Sequence, residues 1–379
     1  MERFNIGVDL HKTQFTICCL SGESFLWEGQ YSTNPGGYAE FKRRILGLSK
    51  RSKKSSVYLA VESTGNTKFF KNTVETWGCK VHVVNTLKFK VINESVKKTD
   101  KHDARTLAEF LSKDMIPEAH LCSWESEELR RLLHVRRTLT RAVVTVKNQI
   151  HGMMNAHGLE SLKGGLQSEK GRQRILGALT GIDTDPVTGL VAQQLFQTIS
   201  LLLGQIKDLV KTLEQKVAND EVVKRLQTIP GCGLITASTI RAALDDIGRF
   251  PGPKQFAAYA GLVPWVQCSN TSMHYGKITK RGPEELRTAL VQLVLGMYRS
   301  RVTAEFRIMK SYRYMKSNKG SGKSIIATAR KLAVIIWQML SEKKDFDPEK
   351  MLDHNLNRKA VSMRAASIEK SPMLSGVEN

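Results

Sequence analysis

Acidic residues are scarce in this chain. Only 36 Asp and Glu stand against 58 Lys and Arg in 379 residues, a formal net charge of +22, with a pI near 9.8. A surplus of that size points to a polyanionic partner, most often nucleic acid, over a generically basic protein. Cysteine is sparse as well. The six (Cys18, Cys19, Cys79, Cys122, Cys232 and Cys268) form no Cys-x-x-Cys pair. That argues against a zinc site or a disulfide frame and for reduced thiols. The N-terminus lacks a basic-then-apolar signal pattern, and no run of about 18 apolar residues occurs. The expectation is a cytoplasmic, nucleoid-associated protein with no membrane segment. A Gly-x-Ser-x-Gly elbow is missing, and no Ser-His-Asp triad can be read from spacing. A P-loop fails too, because Ser317 occupies the first glycine position ahead of Gly322-Lys323-Ser324 and no strand precedes it. Residues 320–324 therefore read as a flexible basic loop before a helix at 325–340. Neither a nucleotide cofactor nor triphosphatase activity is expected.

What is present begins with four acids near the N-terminus. Asp9 closes the apolar run from Phe4, and Glu62 closes a second from Val57. Asp100 and Asp103, three apart, share one helix face. A lone Asp at a strand end is more often a cap or turn residue. Four acids in this order suit hard divalent cations, which need oxygen ligands gathered from separate elements. Clustered carboxylates repel, and a divalent cation offsets the repulsion. One or two Mg²⁺ ions are expected. His11 and His102 lie nearby and read as outer or surface residues. Cations concentrate in two acid-free blocks, 42–54 and 307–331, which are phosphate-backbone footprints or merely solvated faces.

Hydrophobic spacing gives the organisation. Strands are expected at 6–9, 15–20, 57–61 and 81–84, and helices at 37–48, 67–77 and 99–111. Read as βββαβαβα, with the third strand of the opening meander given no range, the order matches an α/β RNase H-like fold over 1–122. A long helix is expected at 125–157, then a Gly-rich polar interruption at 158–189, then a second helix at 190–217. Leu195, Ile199, Leu202, Ile206, Leu209 and Leu213 keep heptad spacing. They suit a dimerising coiled coil or a hairpin packed on itself, and 123–220 is one helical region either way. A mostly α-helical domain follows at 221–345, then a polar, partly disordered tail at 346–379.

Within that domain Ile229-Pro230-Gly231-Cys232-Gly233 resembles a helix-hairpin-helix turn. There Gly231 and Gly233 would let free backbone N–H groups approach a phosphate. An ordinary glycine-rich connection is the alternative. Ser269 is, by composition alone, a polar loop serine.

Taken together, these residues make the chain resemble a DEDD transposase of bacterial insertion sequences, the family guided by its own bridge RNA, which includes a related DNA invertase. The resemblance spans about residues 4–342. It rests on Gly7-Val8-Asp9, Val61-Glu62-Ser63-Thr64-Gly65 and Lys98-Thr99-Asp100-Lys101-His102-Asp103-Ala104. It continues through Ile229-Pro230-Gly231-Cys232-Gly233, Ala260-Gly261-Leu262-Val263-Pro264, Ile278-Thr279-Lys280-Arg281-Gly282, Leu286-Arg287 and Ala329-Arg330-Lys331-Leu332. It implies a RuvC-like first domain whose Asp9, Glu62, Asp100 and Asp103 bind metal. It also implies a nucleophilic serine five residues after Pro264, namely Ser269, with Ser272 the alternative. The flanking Cys268 and Asn270 depart from the family's usual triplet. Lys280, Arg281 and Arg287 would neutralise the reacting phosphate or hold DNA backbone. Arg136, Arg137 and Lys323 are placed on RNA or DNA. The implied partners are target and donor DNA, a guide RNA, and further copies of the chain as dimers pairing into tetramers. The acids of one subunit would meet the serine of another. The rival from the residues alone is a junction-type nuclease using the four acids for two-metal hydrolysis.

Overall fold

The computed structural model describes residues 2–49, 56–92, 99–159, 165–182, 186–269 and 272–352. The chain divides into two compact units, Met1–Cys122 and Ser123–Asn379.

The first unit is a five-stranded mixed sheet with helices on both faces. In chain order it comprises β1 Arg3–Leu10, β2 Gln14–Ser21, β3 Ser24–Ser32, α1 Pro35–Ser49, β4 Ser56–Glu62, α2 Thr67–Glu75, β5 Lys80–Val84, α3 Thr86–Ile92 and α4 Asp100–Ser112. The strand order is β3-β2-β1-β4-β5. β1 to β3 form an antiparallel meander, while β4 and β5 add in parallel. Strand alternation assigns the faces. Phe4, Ile6 and Val8 of β1, Phe15 and Ile17 of β2, and Leu59 and Val61 of β4 pack with Phe41 and Phe70 into one core. The rings of Phe15 and Phe41 meet edge-on, with centroids 5.2 Å apart. The opposite face carries Gly7, Cys18, Leu20 and Ala60, and α4 lies on it through Ala104, Leu107 and Ala108. α3 falls in a segment for which the sequence pattern indicated no element.

The second unit comprises α5 Trp124–Ala156, α6 Glu169–Thr180, α7 Pro186–Val217, α8 Glu221–Gln227, α9 Leu234–Leu244, α10 Pro253–Tyr259, β6 Pro264–Ser269, β7 Ser272–Ile278, α11 Glu284–Arg299, α12 Arg307–Lys319 and α13 Ser321–Ser341. α5 and α7 run antiparallel. Glu128, near the start of α5, pairs with Lys216, near the end of α7, at 2.5 Å. At the far end, His157 Nε2 lies 3.3 Å from Thr188 Oγ1. Ile199 packs with Ile150, Met154, Ile175 and Leu179, and Leu213 joins the main core with Leu129. This part of the heptad stripe is therefore used within the chain, as a hairpin.

Four expectations need correction. The stretch 158–189 is not simply irregular, because α6 lies inside it, capped by the Ser168 hydroxyl, which accepts from the Gly171 N–H. Residues 321–324 form the first turn of α13 rather than a loop. Gly320, at φ +77°, is the single residue joining α12 to α13. The helical domain also contains a two-stranded β-hairpin. Finally, the tail does not start at 346, since Phe346 and Leu352 are buried in the core; residues 353–379 lie outside the described residues. The second half of the basic block at 42–54 also lies outside them, and Lys42, Arg43 and Arg44 are exposed on α1. By length and composition alone, α7 and α13 could cross a membrane. α13 instead contributes Ala329, Leu332, Ala333 and Ile336 to the main core.

Candidate active site

The acids converge because α4 presses directly onto β1. A Cβ at Gly7 would lie 1.9 Å from the Ala104 carbonyl oxygen and 2.5 Å from the Ala108 nitrogen. Only glycine lets the helix come that close, with Ala104 and Ala108 opposite it. The N-terminal turn of α4, carrying Asp100 and Asp103, is thereby brought towards the C-terminal end of β1. Thr99 caps that turn by accepting from the His102 N–H. Two acids in a first turn also suit the helix dipole.

Asp9 shares the α4 side of the sheet with Gly7. Glu62 occupies the corresponding position on β4, one step beyond the Val8–Val61 pair. Two residues at the start of α2 tie these strand ends. Thr67 Oγ1 donates to the Glu62 carbonyl at 2.6 Å, and Asn66 Nδ2 donates to the His11 carbonyl at 2.8 Å. Both belong to the run following Glu62, yet neither stood out by residue type.

Ligand atoms of Asp9, His11 and Asp100 all lie within 4.8 Å of one another. His11 Nε2 is 3.1 Å from Asp9 Oδ2 and 3.6 Å from Asp100 Oδ2. His11, read from sequence as outer or surface, thus stands between two acids. Burial raises the Asp9 pKa, His11 opposes that rise, and the charges of Asp100 and Asp103 add to it. Asp103 therefore acts on Asp9 electrostatically without belonging to the group of three. The donor set, two carboxylates and an imidazole, fits a divalent cation. Asp9, His11 and Asp100 would hold it, with Glu62 and Asp103 beside them. Beside Asp100 a cavity of about 650 Å³ opens, bordered by Thr16, Gln30, Thr99 and the Lys101–Glu28 ion pair.

In the second unit, Ser269 is the last residue of β6 and pairs in register with Ser272 at the tip of the β6–β7 hairpin. Asn270 lies outside the described residues. The base of the hairpin is braced by crossing backbones. The Thr279 N–H donates to the Val263 carbonyl at 2.9 Å, and the Lys280 N–H to that of Gly261 at 3.3 Å. Gly261 and Gly282 have φ of +69° and +101°, and a Cβ at Gly282 would meet the Tyr259 oxygen at 1.8 Å. Arg287 Nη1 donates to the Lys280 carbonyl at 3.3 Å, so it steadies this crossing. Lys280 and Arg281 remain exposed.

The other sequence-selected residues divide by environment. The α8–α9 connection is a tight helix-turn-helix, with Gly231 at φ +86°. A Cβ there would meet the backbone of Gly296 in α11 at 2.6 Å, so close helix packing by itself requires this glycine. Gly233 is the N-cap of α9, with no side-chain cap. Arg137 is committed to Glu284 and Glu285, at 2.6 and 2.8 Å. Arg136 is half-buried, and its Nε has no hydrogen-bond partner among the described residues. Both arginines line a cavity of about 1000 Å³ between α5, α9 and α11, which none of the four acids borders. Lys323 is exposed on the first turn of α13. Burial pushes the Cys18 thiol up to about 11 and those of Cys79 and Cys232 up to about 12, so none of these three is a thiolate nucleophile at neutral pH.

Comparison with known proteins gives two family matches. Residues 6–159 match a transposase family whose model carries the DEDD designation. Residues 223–308 match the transposase IS116/IS110/IS902 family. Among similar proteins, the transposase for insertion sequence element IS1111A of Coxiella burnetii is 24% identical, over 90% of each chain. A probable family 20 transposase of Pseudomonas aeruginosa is 26% identical, over 76% of this chain and 86% of its own. The pilin gene-inverting protein of Moraxella bovis is 26% identical, over 92% of this chain and 98% of its own.

Proposed function

Because the chain belongs to the IS110/IS116 transposase family, and so is a DNA transposase or recombinase, we propose that it cuts and rejoins DNA through Ser269 under RNA guidance. The observation that carries the metal half of this reading is the convergence of Asp9, His11 and Asp100 within 4.8 Å. The strand order of the first unit supports an RNase H-like, RuvC-type domain. The cation would be Mg²⁺, held by Asp9, His11 and Asp100, and would polarise a phosphoryl oxygen.

The chain's own residues carry the rest. Ser269 Oγ forms a bond to phosphorus as the P–O3′ bond breaks. The serine proton ends on the released 3′ oxygen. A partner 3′ hydroxyl then attacks the phosphoserine ester and returns a proton to Ser269. Each step exchanges one P–O bond for another, so no nucleotide is consumed. Lys280 and Arg281, exposed at the base of the hairpin and not at its tip, are assigned to the DNA backbone. The +22 net charge supports backbone recognition, which leaves sequence choice to base pairing by a guide RNA. The working form is a homodimer that pairs into a tetramer in the cytoplasm, on the nucleoid.

RNA dependence is tested by recombination of two matched DNA duplexes, with and without RNA transcribed from the element's flank. Product that requires the RNA, and that moves to new targets when its pairing loops are rewritten, supports the reading. Equal product without RNA contradicts guidance. Hydrolytic nicking with no rejoined product favours the junction-type nuclease.

A further inference from the structure

Thr16 sits directly opposite Asp9 in the β1–β2 register. Residues opposed in this way have Cβ atoms about 4.5–5.5 Å apart and point to the same face, here the face that α4 covers. Thr16 is 3% exposed, and its Oγ1 is buried without a hydrogen-bond partner among the described residues. Buried hydroxyls are normally satisfied, so an unpartnered one beside a carboxylate cluster calls for an explanation. Thr16 also borders the cavity that opens at Asp100. Thr16 therefore neighbours the acid of one strand and shares a cavity with the helix turn bearing the next acid.

We propose that Thr16 is a positioning residue of the cation site, its hydroxyl holding a water molecule that completes the ion's coordination between Asp9 and Asp100. This rests on the reading that these residues bind a divalent cation. Magnesium and manganese keep several waters when few protein ligands reach them. A fixed hydrogen bond to such a water orders the ligand sphere, and losing partners of this kind typically weakens metal affinity about 10- to 100-fold. A structural role would need only a β-branched shape, which valine supplies equally well.

The test is Mn²⁺ binding to the full chain, followed by electron paramagnetic resonance without DNA. Thr16→Val is expected to weaken Mn²⁺ binding about tenfold or more, while Thr16→Ser stays close to the unaltered protein. Circular dichroism and melting temperature confirm that both variants fold. Asp9→Asn provides the loss-of-site reference. Undiminished affinity in Thr16→Val overturns the proposal, as does a Thr16→Ser variant as weak as valine, which would assign the effect to the methyl group. If the unaltered protein binds no Mn²⁺, the cation reading and this proposal fall together. Binding that is lost in Asp9→Asn but intact in Thr16→Val removes Thr16 alone.

Discussion

A single carboxylate shows what the site costs the fold. Asp9 has a raised pKa chiefly because burial disfavours its charge; His11 opposes the rise, and the charges of Asp100 and Asp103 add to it. A folded-state pKa above the unfolded value favours folding at low pH, and that benefit is lost as pH rises through the folded value. At neutral pH the charged Asp9 therefore opposes folding unless a cation is present. Metal-free Asp9→Asn is expected to melt above the unaltered protein at pH 7, by on the order of a degree or two. The gap should close below about pH 4, where both states of the acid are protonated. The comparison is a pair of calorimetric scans in chelator. Gly7 behaves oppositely. Gly7→Ala puts a Cβ 1.9 Å from the Ala104 oxygen. It is expected to cost about 1–3 kcal/mol of stability, read as a lower urea midpoint. It should also weaken Mn²⁺ binding by shifting α4. The places of Asp9, Glu62, Asp100 and Asp103 on their strands and helix were legible because each lies at the end of an apolar strand or opens a helix. His11 was not, since a histidine two residues past a strand-end acid turns back only through a loop fixed by Asn66, a contact 55 positions away.

At the scale of elements, periodicity located β1, β2, β4, β5 and the long helices because their apolar faces are regular, while β3, with most of its side chains exposed or half-buried, received no range. It missed α6 and the β6–β7 hairpin for different reasons. α6 is interrupted in character by Gly171 and Gly177, and its buried face is only Ile175 and Leu179. In β6 the successive residues Trp265 and Val266 are both exposed, so no clean alternation marks the strand. Beside the apolar core of the second unit a polar network ties α5, α8 and α9. Arg241 of α9 donates to Asp220 Oδ2 at 2.9 Å, to Ser126 Oγ at 3.0 Å and to the Asp245 carbonyl at 2.8 Å. It thus joins α5, the cap of α8 and the end of α9. Arg241→Ala leaves these acceptors without their donor and is expected to cost about 2–3 kcal/mol, measured by denaturant unfolding. Arg241→Lys should restore only part, because one ammonium cannot reproduce the fork.

For the whole molecule, composition announced nucleic acid, and motif order announced the family, before any geometry. The sequence left open whether the heptads at 195–213 join two chains or fold one back. Within the chain the stripe is used by the α5–α7 hairpin, while Val187, Leu190 and Leu201 stay exposed and are available for assembly. The claim on which everything else depends is that Ser269 becomes covalently joined to DNA. The decisive measurement mixes protein, flank-derived RNA, Mg²⁺ and end-labelled junction DNA, then resolves protein on a denaturing gel and maps the labelled peptide by mass spectrometry. The account predicts a labelled protein band, absent in Ser269→Ala and Asp9→Asn, with the nucleotide on the peptide carrying Ser269. A label on Ser272, or nicked DNA without adduct that Ser269→Ala leaves unchanged, would contradict it.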